Sequence, residues 1–341
     1  MKSKRTNRAV WLVLLLGLVL AGAAAWSAWR LWPPEAASLL RSVAIVECRT
    51  YHELRSGGQT VLFFSGVDTN QCLLSASTQA AEATDTTYAT AIWVNRWSLW
   101  PSCQGRLVTV VPGMADLSQC DIDTVLSHTL RQQQTLLKRL KGEQAELAYY
   151  LRVHGVQDPG YQSVAEVSAQ RENSIARVQK LVTLLTRLTT DSTRTEKPEV
   201  AEKSHFIAYY RDRGDTLRHT ACRCLAGNDT RRVAMLQTTN GLTPDGAVAV
   251  NILPWNHYAE GEMRAIAFSG LGEQIFADTT TRATIQPCLV DTTGRHDLPL
   301  LLATDGTPIY TKNGHFIGIS NHQQIVRRRT LRQLMRKGGQ Q

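Results

Sequence analysis

The sequence lacks the loops that hold nucleotides. It has no Gly-x-x-x-x-Gly-Lys-(Ser/Thr) and no Gly-x-Gly-x-x-Gly opening a helix, so neither phosphate-cradling turn is present. It has no His-Glu-x-x-His, which excludes that zinc-hydrolase pattern. His219-x-x-Cys222-x-Cys224 carries ligand types that zinc accepts, but no second pair follows at metal spacing, and neither metal nor cofactor is expected. Cysteine is sparse and irregular. Cys48, Cys72, Cys103, Cys120, Cys222, Cys224 and Cys288 could form up to three bridges in an oxidising compartment, with no pairing fixed, and a small disulfide scaffold is excluded. No solenoid-length repeat and no sustained heptad occurs. With 43% hydrophobic and 20% charged residues, wholesale disorder is excluded as well, and the 341 residues suffice for one large or two modest cores.

Acid is missing from both ends. Lys2, Lys4, Arg5 and Arg8 precede the body of the chain, and Arg327, Arg328, Arg329, Arg332, Arg336 and Lys337 follow it, with no Asp or Glu in either stretch. These ten cations account for the whole +9 excess and leave residues 9–326 at −1. A near-neutral body with two basic ends is not a groove for phosphate backbones, and no nucleic-acid partner is expected.

Charge of either sign is absent from Val10–Trp29, a run of 20 residues. At about 1.5 Å per residue a helix of this length crosses about 30 Å of hydrocarbon. Trp11 lies at one end and Trp26, Trp29 and Trp32 at the other, as interfacial belts require. The apolar run continues past Ala21-Gly22-Ala23, a sequence resembling a signal cleavage site, and therefore reads as an uncleaved anchor. Basic residues before the run hold the N-terminus in the cytoplasm. The expected arrangement is a cytoplasmic tail at 1–9, a single-pass inner-membrane anchor at 10–32, and the remainder in the periplasm or outside the cell.

Residues 40–112 read as short β-branched or aromatic strands: Ser42–Cys48, Thr60–Phe64, Cys72–Ala76, Thr90–Val94 and Arg106–Val111, separated by turns such as Ser56-Gly57-Gly58. Helical spacing then takes over from Asp116 to His154. Gly155 and Asp158-Pro159-Gly160 stop that helix, and a second runs from Gln162 to Thr189, giving an antiparallel hairpin. Residues 191–203 read as a polar linker. Strands return at His205–Tyr210, Thr216–Leu225, Val233–Gln237, Val248–Ile252, Arg264–Phe268, Ala283–Gln286, Leu298–Leu302, Pro308–Tyr310 and Phe316–Ile319.

Thr304-Asp305-Gly306-Thr307-Pro308-Ile309-Tyr310, followed by Phe316-Ile317-Gly318-Ile319, resembles the nucleophile loop Gly-x-Ser-Gly-(Ser/Thr)-Pro-(Ile/Val) and its hairpin in bacterial envelope serine peptidases of the trypsin-like double-barrel family. Leu73-Leu74-Ser75-Ala76-Ser77-Thr78 resembles the Leu-Leu-Thr-Ala-Ala-His stretch that carries the family's catalytic His. Arg232-Val233-Ala234-Met235-Leu236 resembles the Asp-Leu-Ala-Leu-Leu that carries its Asp. The hairpin, with Tyr149-Tyr150-Leu151 and Val156-Gln157-Asp158, resembles a membrane-anchored subgroup. The resemblance implies a mainly β fold of two antiparallel barrels, the first over 40–262 interrupted by the hairpin at 116–190, the second over 263–320, with a basic tail at 321–341.

The resemblance also implies that the triad is gone. Thr78, Arg232 and Asp305 stand at the His, Asp and Ser positions, and Ala303 and Thr304 occupy the oxyanion loop where Gly is expected two residues before the nucleophile. Thr78 has no group titrating near neutrality. Arg232 is always cationic and cannot stabilise an imidazolium. Asp305 would set a carboxylate where an oxyanion must form. His52, His219, Asp229 and Ser269 read as ordinary polar residues, and Glu260 with Glu262 as a solvated turn. The tail could pack Leu331, Leu334 and Met335 on the second barrel or meet anionic lipid. The expected work is binding, either a peptide or protein segment in the inter-barrel cleft or a partner on the hairpin. The alternatives are a peptidase with a relocated triad and an envelope protein self-associating through the hairpin.

Overall fold

A computed structural model describes residues 15–25, 35–96, 104–111, 121–190, 198–228, 232–252, 261–268 and 282–338. Asp229, Ser269, Glu260, Cys103, Cys120 and all four tryptophans of the expected belts lie outside these residues. Residues 15–25 are helical, with Leu15, Leu16, Leu18, Val19 and Leu20 exposed. Among the described residues no helix is long and apolar enough to cross a membrane.

The first β region forms β1 (Val43–Ser56), β2 (Gln59–Phe64), β3 (Gly66–Val67), β4 (Leu73–Leu74), β5 (Asp85–Arg96) and β6 (Arg106–Val110). Gly57 and Gly58, at φ +57° and +77°, close the two-residue β1–β2 turn, which needs positive φ at both central positions. Two helices follow, α1 (Ile122–Val153) and α2 (Tyr161–Thr190). Then come β7 (Glu199–Arg211), β8 (Leu217–Asn228), β9 (Val233–Thr238), β10 (Val250–Ile252), β11 (Gly261–Phe268), β12 (Ala283–Val290), β13 (Pro308–Thr311), β14 (Phe316–Asn321), β15 (Gln324–Arg327) and α3 (Arg328–Lys337).

The chain divides into two compact units, one of residues 1–48, 87–113 and 205–341, the other of residues 49–86 and 114–204. The division does not follow the expected boundary at 262/263, because both β-sheets contribute to the first unit.

In the first unit β5, β6, β9, β8, β7 and β1 are bonded in that order, and β1 also pairs with β5, so six strands close into a barrel. β7 lies beside β1, and the order β7-β1-β5-β6 is a Greek key. The second sheet runs β12-β11-β13-β14-β15. Residues 294–297 bridge its two edges. Val290 pairs with His296 and Arg295 with Gln324, while Ile325 N–H donates to Gly294 O at 2.9 Å. Numbered along the chain with that segment as third, the ring reads 1-2-3-6-5-4, the same permutation as the first barrel. Inward-facing Val43, Ile45, Val108 and Met235 of the first sheet share one apolar cluster with Ile266, Tyr310, Ile319 and Val326 of the second. The cluster is joined by one internal polar contact: the Tyr310 hydroxyl lies 2.9 Å from Ser42 Oγ, which itself donates to Leu39 O at 2.6 Å. Leu331, Leu334 and Met335 of α3 are buried in the same cluster, and the helix packs on β8 and β9 of the first sheet as well as on β14 and β15 of the second, not on the second alone as expected. Each such side chain contributes about 1.5–3 kcal/mol.

In the second unit α1 and α2 form the expected antiparallel hairpin. Val125, Leu126, Leu181 and Leu185 pack with Leu54, Leu62, Phe64 and Leu73, and Thr129 Oγ1 accepts from the Leu73 N–H at 2.9 Å. Higher in the hairpin a polar layer replaces leucine, with Gln144 Nε2 donating to Ser168 Oγ at 2.9 Å and Arg171 paired to Glu143 at 3.0 Å.

Three expectations are corrected. Leu298–Leu302 is a turn, not a strand: Pro299 supplies no N–H, and its carbonyl accepts from both Leu302 and Ala303. The linker assigned to 191–203 ends early, since β7 begins at Glu199. Cys72–Ala76 yields only the two residues of β4.

Candidate functional site

The loop resembling a nucleophile turn is built tightly. Thr307 N–H donates to Thr304 O at 3.1 Å, closing a four-residue turn with Asp305 and Gly306 at its centre. Gly306 has φ +88°, and a Cβ there would lie 1.8 Å from Thr90 O. Only glycine fits, both for conformation and for space. Ser320 brackets the turn, accepting from Gly306 N–H and donating its own N–H to Thr307 O, each at 2.8 Å.

From that turn, contacts lead directly to Arg232. Asp305 O accepts from Thr90 N–H at 3.0 Å, on β5. Thr304 Oγ1 and Thr90 Oγ1 are 2.8 Å apart. Thr90 O accepts from Thr109 Oγ1 at 2.8 Å, on β6. Two residues on, Val111 N–H donates to Arg232 O at 2.8 Å. Arg232 is exposed and held at φ +51°, immediately before β9.

The end of β6 therefore touches both the Asp305 turn and Arg232. Thr78 is an exposed bend residue of the second unit, following Ser77, whose backbone pairs with Phe63.

The Asp305 carboxylate is engaged on the neighbouring turn. Asp305 Oδ1 accepts from the His322 backbone N–H at 2.7 Å, and Oδ2 lies 2.9 Å from His322 Nδ1. His322 and Gln323, at φ +49° and +65°, make the β14–β15 turn. The carboxylate thus holds a tight turn of two non-glycine residues in the left-handed region. Ala303 is fully buried beside Met263, Ile309 and Ile317.

A serine–histidine pair lies on the same sheet. His296 Nε2 and Ser320 Oγ are 2.8 Å apart. Both residues are buried, at 2% and 0% exposure, and His296 Nδ1 has no partner, so neither access nor an orienting acid is provided. Burial lowers the His296 pKa, with Asp297 and Asp305 opposing and Arg295 assisting. His52 is stacked on Phe64 with its pKa likewise lowered by burial, against the opposing charge of Glu202. His219 is an exposed residue of β8 beside Tyr209. Glu262 pairs with Lys312, which holds its carboxyl below the ordinary range.

Cys222 is buried and Cys224 exposed although the two pair in register with Thr238 and Leu236 on one face; the bulge of β8 follows them, between Cys224 and Ala226. Among the described residues no cluster of His, Cys, Asp and Glu could hold a metal ion. Three cavities lie away from the Asp305 turn. One of about 530 Å³ runs between Val61 and Lys180, Leu184 and Arg187 of α2. Another of about 650 Å³ separates Leu73 and Leu74 from Leu136 and Arg139 of α1. A third, of about 280 Å³, sits at Arg41 and Arg213.

No family model matches this chain, and no curated protein does. Among solved structures it is similar to Deg5, at 10% identity and a TM-score of 0.35, over 87% of this chain and 88% of that one. It is also similar to the MamO protease domain from Magnetospirillum magneticum, at 11% identity and a TM-score of 0.29, over 38% of this chain and 74% of that one.

Proposed function

We propose that this chain is a membrane-anchored, extracytoplasmic member of the trypsin-like double-barrel family that has lost its triad and works by binding a peptide or protein. One observation carries the reading. The end of β6, the residue before β9 and the turn before β13 are joined through Val111, Arg232, Thr109, Thr90 and Asp305, and none of Thr78, Arg232 and Asp305 can serve as relay, orienting acid or nucleophile. The identical ring order of the two sheets supports the double barrel. The charge-free run at 10–29 and its basic leader support the anchor and a periplasmic or external body.

The mechanism left to such a site is recognition. A retained turn and two rings keep the shape of a peptide-binding scaffold while the attacking and proton-moving groups are exchanged. Incubating the full chain with casein tests this: casein stays intact. Cleavage that disappears in Ser320→Ala, the partner of His296, establishes the relocated-triad reading instead.

A second reading has its own support. At the hairpin tip Tyr149, Val153 and Val156 are 61%, 59% and 75% exposed, an apolar group suited to self-association or to a protein partner. Deleting residues 116–190 and sedimenting the protein separates the two uses, since an unchanged oligomer mass removes self-association.

A further inference from the structure

The apolar face of α3 is spent on the first unit's core, and what remains outward is cationic. Arg329, Arg336 and Lys337 are exposed and Arg332 is half-buried; none of the four forms an ion pair among the described residues. Among the described residues, β8, β9, β14 and β15, the strands packed against α3, contain no Asp or Glu, and neither do residues 306–341 of the sequence. β8 adds Arg218 and Arg223 to the same charge balance, of which Arg218 is neutralised by Asp212.

The first turn works against the helix, because Arg328 and Arg329 occupy positions where the macrodipole favours acids, whereas Arg336 and Lys337 suit the last turn. Arg328 and Arg332 repel one another, and together with burial this depresses the Arg328 pKa. A solvated face would be more stable with mixed charges at these positions. Guanidinium groups in such number match phosphodiester oxygens, which they bind in a forked geometry.

We infer that the outer face of α3 docks on the anionic lipid headgroups of the membrane that holds the chain. The occupant is argued from charge complementarity and from the sequence, in which a bilayer-length apolar run stands behind a second basic cluster. The proposal rests on the anchored reading of residues 10–32, and the experiment keeps the two apart.

The full chain is first offered to phosphatidylcholine nanodiscs, which reports anchoring alone. Chain that enters the discs is then mixed with vesicles of phosphatidylcholine, with or without 30% phosphatidylglycerol, and vesicle flotation is measured; chain that stays soluble is mixed with the same vesicles directly. At about 1 kcal/mol per basic residue, the triple variant Arg329→Gln, Arg336→Gln, Lys337→Gln is expected to bind phosphatidylglycerol vesicles about a hundredfold more weakly, with an unchanged melting temperature. Binding of the wild type should vanish in high salt. Failure to enter the discs overturns the anchor but not the docking face. Equal flotation with both vesicles, or loss of binding only in Lys2→Gln, Lys4→Gln, Arg5→Gln, Arg8→Gln, overturns the docking face. So does displacement by an RNA oligonucleotide at concentrations where phosphatidylglycerol vesicles fail to compete.

Discussion

Asp305 and His322 are joined twice, through the backbone N–H at 2.7 Å and the ring Nδ1 at 2.9 Å. The Asp305 carboxylate thereby supports the neighbouring hairpin, satisfying a turn whose two central residues both have positive φ. Asp305→Ala should cost about 1.5–3 kcal/mol, the scale for hydrogen bonds to a charged group. Urea denaturation measures it, and Asp305→Asn should recover part of the loss by still accepting from the His322 N–H.

Gly306→Ala should be the most damaging single-atom-group addition at the site. The new methyl meets Thr90 O at 1.8 Å and is forced to φ +88°. The conformational part alone is about 1–3 kcal/mol, and the collision adds to it. Loss of the cooperative melting transition, or a midpoint shift well beyond that of an exposed Gly→Ala such as at Gly142, is the expected result in thermal denaturation.

Acid should unfold the protein through its buried histidines. His296 and His52 have pKa values below the ordinary 6.5, each chiefly because of burial. Below pH 6.5 the unfolded chain binds protons that the folded one refuses, so stability falls as pH falls through that value and is fully present above it. Melting temperatures measured from pH 8 to 5 should decline at the acid end. His296→Gln should flatten the decline, whatever it does to stability at pH 8.

The thiols should separate by reactivity. Burial pushes the Cys222 thiol up to about 12 and the Cys288 thiol to about 11. Only thiolate attacks an alkylating agent. Iodoacetamide at pH 8 on the folded chain, followed by peptide mass mapping, should modify exposed Cys224 well before Cys222 or Cys288.

Most of the strands and both long helices could be read from periodicity, because each presents one face to a core and the sequence alternates accordingly. Val233–Gln237 and Phe316–Ile319 lie almost where their apolar runs place them. The misses have local causes. Leu298–Leu302 is apolar, yet Pro299 makes it a turn, and Gln324–Arg327 was too short and polar at its ends to be read as a strand. At the site, Arg232 and Asp305 each lie just before a strand whose apolar run the sequence shows, while the contacts that join them through Val111, Thr109 and Thr90 depend on which strands pair and were not legible.

The central claim is that no serine in this scaffold attacks a carbonyl. Intact-mass analysis of the full chain after exposure to an excess of a fluorophosphonate at neutral pH addresses it directly. The account predicts a mass unchanged at every serine, and a single stoichiometric adduct, lost when one serine is replaced by alanine, would contradict it.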